Sequence, residues 1–179
     1  MAQPNSHAEE VSTLRRRLFG NHNAKQRVIL HAGSPRAWQS FRPWIYETVD
    51  EYISNINAVI NAVDALSGLY LAIRFRPQEG VNFEDFKSSL EKSSCYGIYS
   101  ENTFKEYLIS SDLLVSYSST AIEESLQNHI PVLQYDPDGK YEHIKGKVLS
   151  IDCVKSLSTV YSVLNEKDLE SALDWWKNC

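Results

Sequence analysis

Residues 112–136 read DLLVSYSSTAIEESLQNHIPVLQYD, and this stretch decides the fold. From Asp112 to Tyr117 the apolar residues run without alternation, which predicts a strand covered on both faces. Ser118, Ser119 and Thr120 then open a helix expected over 120–128, and Ile130-Pro131-Val132-Leu133-Gln134 forms another apolar strand. A buried strand, a short polar turn, a helix and a second buried strand make the repeating unit of a parallel sheet.

The alternation continues in both directions. Upstream, Val28-Ile29-Leu30-His31-Ala32 is an apolar run closed by Gly33-Ser34-Pro35, a strand entering a turn. Apolar residues recur at Ile45, Val49, Tyr52, Ile53, Ile56, Val59, Ile60, Val63 and Leu66, the period of one long amphipathic helix. Pro43 stands near its start and Gly68 just past its end. Further strands are expected over 69–73, 96–99 and 147–151. Shorter helices are expected around Phe83, Phe86 and Leu90, over 103–109, and over 167–176.

This order predicts an α/β fold: a doubly wound, mainly parallel Rossmann-like sheet of about six strands with helices on both faces. The domain is expected to span 27–179, behind a polar N-terminal arm or linker at 1–26 with no sustained period. Within that arm, Arg15-Arg16-Arg17 reads either as a solvated face or as a contact to an anionic surface or partner domain. Ligands of such sheets sit where loops leave the carboxyl ends of the strands, which selects 33–42, 75–80 and 117–120.

Composition narrows the function classes. A net charge of −5 argues against general nucleic-acid binding, which draws on a basic excess. No apolar run approaches the roughly eighteen residues of a membrane span, and no basic-plus-apolar segment opens the chain as a secretory signal would. Cys95, Cys153 and Cys179 are odd in number and lack C-x-x-C spacing, which excludes a disulfide framework or zinc finger and suits a reducing cytosol. The five histidines are scattered with no i,i+4 pair, so no metal site is expected.

The hydroxyl cluster at 118–120 carries the chemistry. A helix start has backbone N–H groups without intrahelical partners and the positive end of the dipole, so small hydroxyl side chains there suit a diphosphate. One turn on, Glu124 projects toward the same mouth, where its carboxylate can accept hydrogen bonds from the two hydroxyls of a ribose. The alternative is a capping box, with Thr120 capping the helix and Glu123 reaching back to its backbone.

This strand–SST–helix–EE block, followed by N-x-x-P-V, resembles the C-terminal nucleotide-binding half of GT-B fold glycosyltransferases. It is most similar to the surface-polysaccharide group with the CDP-glycerol glycerophosphotransferases, and to the related half of the non-hydrolysing UDP-GlcNAc 2-epimerases. The resemblance spans 27–150 and implies that Ser118, Ser119 and Thr120 meet the pyrophosphate and Glu124 the ribose. Ala72-Ile73-Arg74-Phe75-Arg76-Pro77 matches the family's strand ending in R-x-H-P, with Arg76 in place of the usual histidine. Arg74, Arg76, and Ser34 and Arg36 after the first strand complete the implied nucleotide-binding set; arginine's planar fork suits phosphate.

The resemblance implies the donor half of a transferase in surface-polysaccharide assembly. Its substrate would be a UDP- or CDP-linked sugar or glycerol, with no cofactor and no assigned catalytic residue. It implies a cytoplasmic location, with peripheral contact at the inner membrane face left open. An acceptor domain normally precedes this half, and 26 residues precede Arg27, so an N-terminal domain or partner chain is expected to complete the enzyme. The alternatives are a non-catalytic interaction module that keeps the half-fold, or half of a sugar-nucleotide epimerase. Trp38, Phe41 and Trp44 read as core or as an interface, and Asp136-Pro137-Asp138-Gly139 as a turn.

Overall fold

A computed structural model of the chain describes residues 4–33, 47–76, 82–116, 120–137, 139, 144–151 and 156–179. The elements run α1 (Pro4–Asn23), β1 (Arg27–Ala32), α2 (Val49–Asp64), β2 (Leu69–Arg74), α3 (Phe83–Ser88), β3 (Tyr96–Tyr99) and α4 (Phe104–Ile109). They continue with β4 (Leu113–Val115), α5 (Ala121–Gln127), β5 (Val132–Tyr135), β6 (Lys147–Val148), β7 (Val160–Val163) and α6 (Glu166–Lys177). All seven strands pair in parallel in one sheet of order β3-β2-β1-β4-β5-β7-β6. The chain winds outward from β1 to β3, returns to lay β4 beside β1, and winds outward the other way, with β7 placed between β5 and the edge strand β6. The strand order therefore reverses between β1 and β4, where Ile29 registers with Leu113 and His31 with Val115.

Side-chain alternation along the strands divides the core into two layers. On one face, Ile29, Leu71, Ile73, Leu113, Val115 and Leu133 pack against Tyr52, Ile56 and Val63 of α2, Phe86 of α3 and Leu173 of α6. On the other, Val28, Leu30, Ala72, Leu114 and Val132 pack against Phe19 of α1, Tyr107 and Leu108 of α4, and Ile122 of α5. Coverage on both faces is why these strands are apolar throughout.

Local signals set the helix ends. The sequence period alone carries α2 back toward Pro43, outside the described residues; the cap at Thr48 starts the described helix at Val49. The Thr48 Oγ1 accepts from the Glu51 N–H at 3.0 Å, and Glu51 Oε2 accepts from the Thr48 N–H at 2.8 Å. Asp136 and Gly139 close the expected turn, with the Gly139 N–H donating to the Asp136 carbonyl at 3.1 Å. Trp176 of α6 is buried beneath Arg27, whose guanidinium carbon lies 5.2 Å from the ring centroid. Trp175 meets Tyr161 edge-on at 5.6 Å, so both tryptophans dock the last helix.

Two features depart from the sequence reading. The seventh strand, β7, lies where Ser162 interrupts an apolar run; its hydroxyl accepts from Gln134 Nε2 at 3.2 Å, so the polar residue is paired inside the sheet. Where a polar arm is expected, Pro4–Asn23 is a helix, broken in conformation at Gly20 (φ 78°). Its Phe19 is 4% exposed, with ring centroids 6.0, 5.6 and 6.2 Å from Tyr70, Tyr99 and Tyr107. Burying one phenylalanine contributes about 1.5–3 kcal/mol, and Leu18 packs partly against the same layer.

Two arginines of the triplet, Arg15 and Arg17, serve the same docking. Arg15 clamps Asp112 with both Nη atoms, at 3.1 and 2.6 Å, and also donates to the Gln26 carbonyl. Asp112 accepts in addition from the Val28 N–H at 2.7 Å, so one carboxylate joins α1 to the starts of β1 and β4. Arg17 pairs with Glu106 at 2.6 Å, and Arg16 bonds back to Ser12 and Thr13 of its own helix. Arg15→Ala is expected to lower stability by about 2 kcal/mol, because it strands a part-buried carboxylate. Arg16→Ala changes it by less than about 0.5 kcal/mol. Urea unfolding midpoints of the two variants check this.

Candidate functional site

At the reversal point of the sheet, the carboxyl ends of β1 and β2 and the starts of α4 and α5 surround a hollow of about 310 Å³. Ala32 and Gly33 leave β1 along one side, and Arg74 and Arg76 leave β2. Phe104, the first residue of α4, forms a further wall, and Thr120, Ala121 and Glu124 bring the start of α5 to the rim. Four residues chosen from the sequence (Arg74, Arg76, Thr120 and Glu124) thus come from two separate loops to one place. Ser34, Arg36, Ser118 and Ser119 lie outside the described residues, as do Trp38, Phe41 and Trp44.

The capping-box alternative at Thr120 is not what forms. Thr120 has helical backbone angles (φ −60°, ψ −13°), and its side chain caps no backbone N–H. Its hydroxyl therefore remains at the rim of the hollow. Glu124 follows one turn later, its N–H bonded to the Thr120 carbonyl at 3.2 Å. Its side chain is exposed, lines the hollow, and meets no hydrogen-bond partner among the described residues.

The two arginines differ. Arg76 is exposed and lines the hollow with no ion pair or hydrogen bond to a described residue. Arg74 is half-buried and committed: Nη1 donates to the carbonyls of Phe75 (3.0 Å) and Tyr99 (3.1 Å), and Nη2 to that of Asn102 (3.1 Å). Its guanidinium carbon also stands 5.5 Å from the Tyr107 ring centroid. Arg76 offers a planar fork that pairs with no described residue, whereas the fork of Arg74 is spent on backbone carbonyls.

Phe104 is a wall that sequence reading does not single out, because an aromatic residue at a helix start is ordinarily a core residue. Only its place at the start of α4, just after the turn that leaves β3 at the sheet's carboxyl edge, marks it.

His31, near the end of β1, is not among the residues that line the hollow. It is 3% exposed on the α2 side of β1, 6.1 Å from the Tyr52 ring, and its Nδ1 has no partner among the described residues. Burial pushes its pKa down to about 4, so it is neutral at physiological pH. Tyr52 donates its hydroxyl to the Gly33 carbonyl at 3.1 Å, holding the exit of β1. Burial raises the Tyr52 pKa, and the negative charge of nearby Glu47 raises it further, so the phenol stays a donor. Among the described residues no group of three His, Cys, Asp or Glu side chains is placed to hold a metal ion, and no helix is long and apolar enough to cross a membrane.

No protein-family profile and no curated protein matches the sequence. Solved structures do match. A putative UDP-N-acetylglucosamine 2-epimerase from Listeria monocytogenes superposes with a TM-score of 0.58 at 19% identity, over 92% of this chain and 39% of that one. The wall teichoic acid polymerase TagF, in its H444N variant, superposes with a TM-score of 0.59 at 14% identity, over 99% of this chain and 41% of that one. Its H548A variant gives 0.56 at 11% identity, over 99% and 41%. The chain has the fold of one Rossmann-like half of a GT-B protein and spans 39–41% of the length of these structures.

Proposed function

We propose that the hollow binds the diphosphate and ribose of a nucleotide-linked donor. On this reading the chain is the donor-binding half of a glycosyltransferase-like enzyme of cell-surface polysaccharide assembly. One observation carries it: a cationic fork, a hydroxyl and a carboxylate, none of them paired among the described residues, converge with an aromatic residue at the sheet's reversal point. Together they match the three parts of a nucleotide. Arg76 and Thr120 suit the diphosphate, Glu124 the paired ribose hydroxyls, and the Phe104 ring a nucleobase. The volume of about 310 Å³ lies at the lower end of the roughly 300–1,000 Å³ common for small-molecule sites.

In transfer from such a donor, the bond to the leaving diphosphate breaks and negative charge grows on its oxygens. Donors held in place before the reaction stabilise that charge most. Arg76 stands on the side of the hollow where β2 ends, suited to that task. The acceptor and its activating base would come from the partner domain.

The test is titration of the chain with UDP, CDP, GDP and ADP by calorimetry and thermal shift. One of them is expected to saturate and to raise the unfolding temperature with concentration. A second reading, an interaction module that keeps the half-fold without binding a donor, is favoured by Arg76 in place of the histidine of the R-x-H-P pattern. It requires that none of the four nucleotides bind saturably, and that result would replace the first reading.

A further inference from the structure

The geometry points to Arg74 as a positioning residue: it acts on the ligand through Phe104, by pinning the turn between β3 and α4, and not by touching phosphate. This rests on the nucleotide reading of the hollow and assigns Arg74 a role different from that of its neighbour Arg76.

The guanidinium bridges three exits. Through Nη1 it ties the end of β2, at the Phe75 carbonyl, to the end of β3, at the Tyr99 carbonyl. That Tyr99 carbonyl also accepts from the Phe75 N–H at 2.9 Å, so the two strand ends are locked twice. Through Nη2 it reaches the carbonyl of Asn102, which sits in the left-handed region at φ 60°. A non-glycine residue in that conformation needs neighbours to hold it. The next residue, Thr103, caps α4 with Glu106 in a reciprocal box, its N–H donating to Glu106 Oε2 at 3.0 Å. Phe104 follows directly. One turn later Tyr107, 1% exposed, presents its ring to the same guanidinium. Phe104, which lines the hollow and packs in part against the core, is therefore bracketed on both sides by atoms that Arg74 holds.

A lysine keeps the charge but cannot span three carbonyls with one planar group. That separates geometry from charge. The variants are Arg74→Lys, Arg74→Met and Arg76→Met, each with a measured unfolding midpoint. Amide hydrogen exchange needs no ligand: in both Arg74 variants, residues 100–105 are expected to exchange at least tenfold faster than the change in global stability accounts for. In Arg76→Met they are unchanged. Binding supplies the second readout, with inorganic pyrophosphate and the nucleoside diphosphate that saturates the wild type as probes. Both Arg74 variants are expected to lose about tenfold in nucleotide affinity while pyrophosphate affinity holds within twofold, and Arg76→Met to lose affinity for both. Full rescue by Arg74→Lys, or a pyrophosphate loss equal to the nucleotide loss, would overturn the assignment in favour of direct charge. If the wild type binds no nucleotide, the reading of the hollow fails, and the assignment to the ligand fails with it. The exchange arm then still decides whether Arg74 pins the turn.

Discussion

Replacing Glu124 with alanine is expected to weaken binding of the preferred nucleoside diphosphate by about 10- to 100-fold, the range of a charge-assisted hydrogen-bond pair. The unfolding midpoint should stay where it was, because the side chain is exposed and holds no described partner. The chemistry gives a sharper signature than the affinity alone. A carboxylate that accepts from adjacent ribose hydroxyls distinguishes a ribonucleotide from its 2′-deoxy counterpart. In the wild type the deoxy ligand should bind more weakly, and in Glu124→Ala that discrimination should vanish. If the variant still discriminates as the wild type does, Glu124 does not meet the ribose.

The second large effect is on stability in acid. His31 is buried, with a folded pKa near 4 against an ordinary value of 6.5. The fold therefore binds the neutral ring, and the unfolded chain takes up the proton first as pH falls. The sign follows: the contribution of His31 is complete above about pH 6.5 and is lost progressively as pH falls through 4. That depression corresponds to about 3 kcal/mol at full loss. His31→Phe removes the titrating ring and is expected to flatten the urea midpoint between pH 6.5 and 4. Glu106, held below the usual carboxylate range by the Thr103 N–H and hydroxyl, acts in the same direction in the more acid part of that range. It persists in the variant. A wild type equally stable at pH 7 and pH 4.5 would contradict the account of His31.

The sheet was legible because its strands are continuous apolar runs separated by helical periods, a pattern that only two-sided burial produces. What stayed hidden depends on partners distant in the chain. Phe19 looks like a lone aromatic in a polar leader until Tyr70, Tyr99 and Tyr107 surround it. Arg15 looks solvated until Asp112, 97 residues away, accepts its fork. Ser162 reads as a break in apolarity until Gln134 pairs with it.

At the site, position along the strands was enough to bring Arg74, Arg76, Thr120 and Glu124 into consideration. Nothing in the local sequence separates the two arginines. Their difference lies in three carbonyls and one ring that the fold places around Arg74 alone. Phe104 escaped for the same reason, since its place at the hollow is set by the turn before it.

The most direct measurement is an amide-resolved NMR titration of the ¹⁵N-labelled chain with the four nucleoside diphosphates. The expected result is saturable shifts confined to Gly33, Arg76, Phe104 and residues 120–124, with one ligand preferred. Shifts that stay linear in concentration, or that fall on another part of the surface, would contradict the claim that this hollow receives a nucleotide.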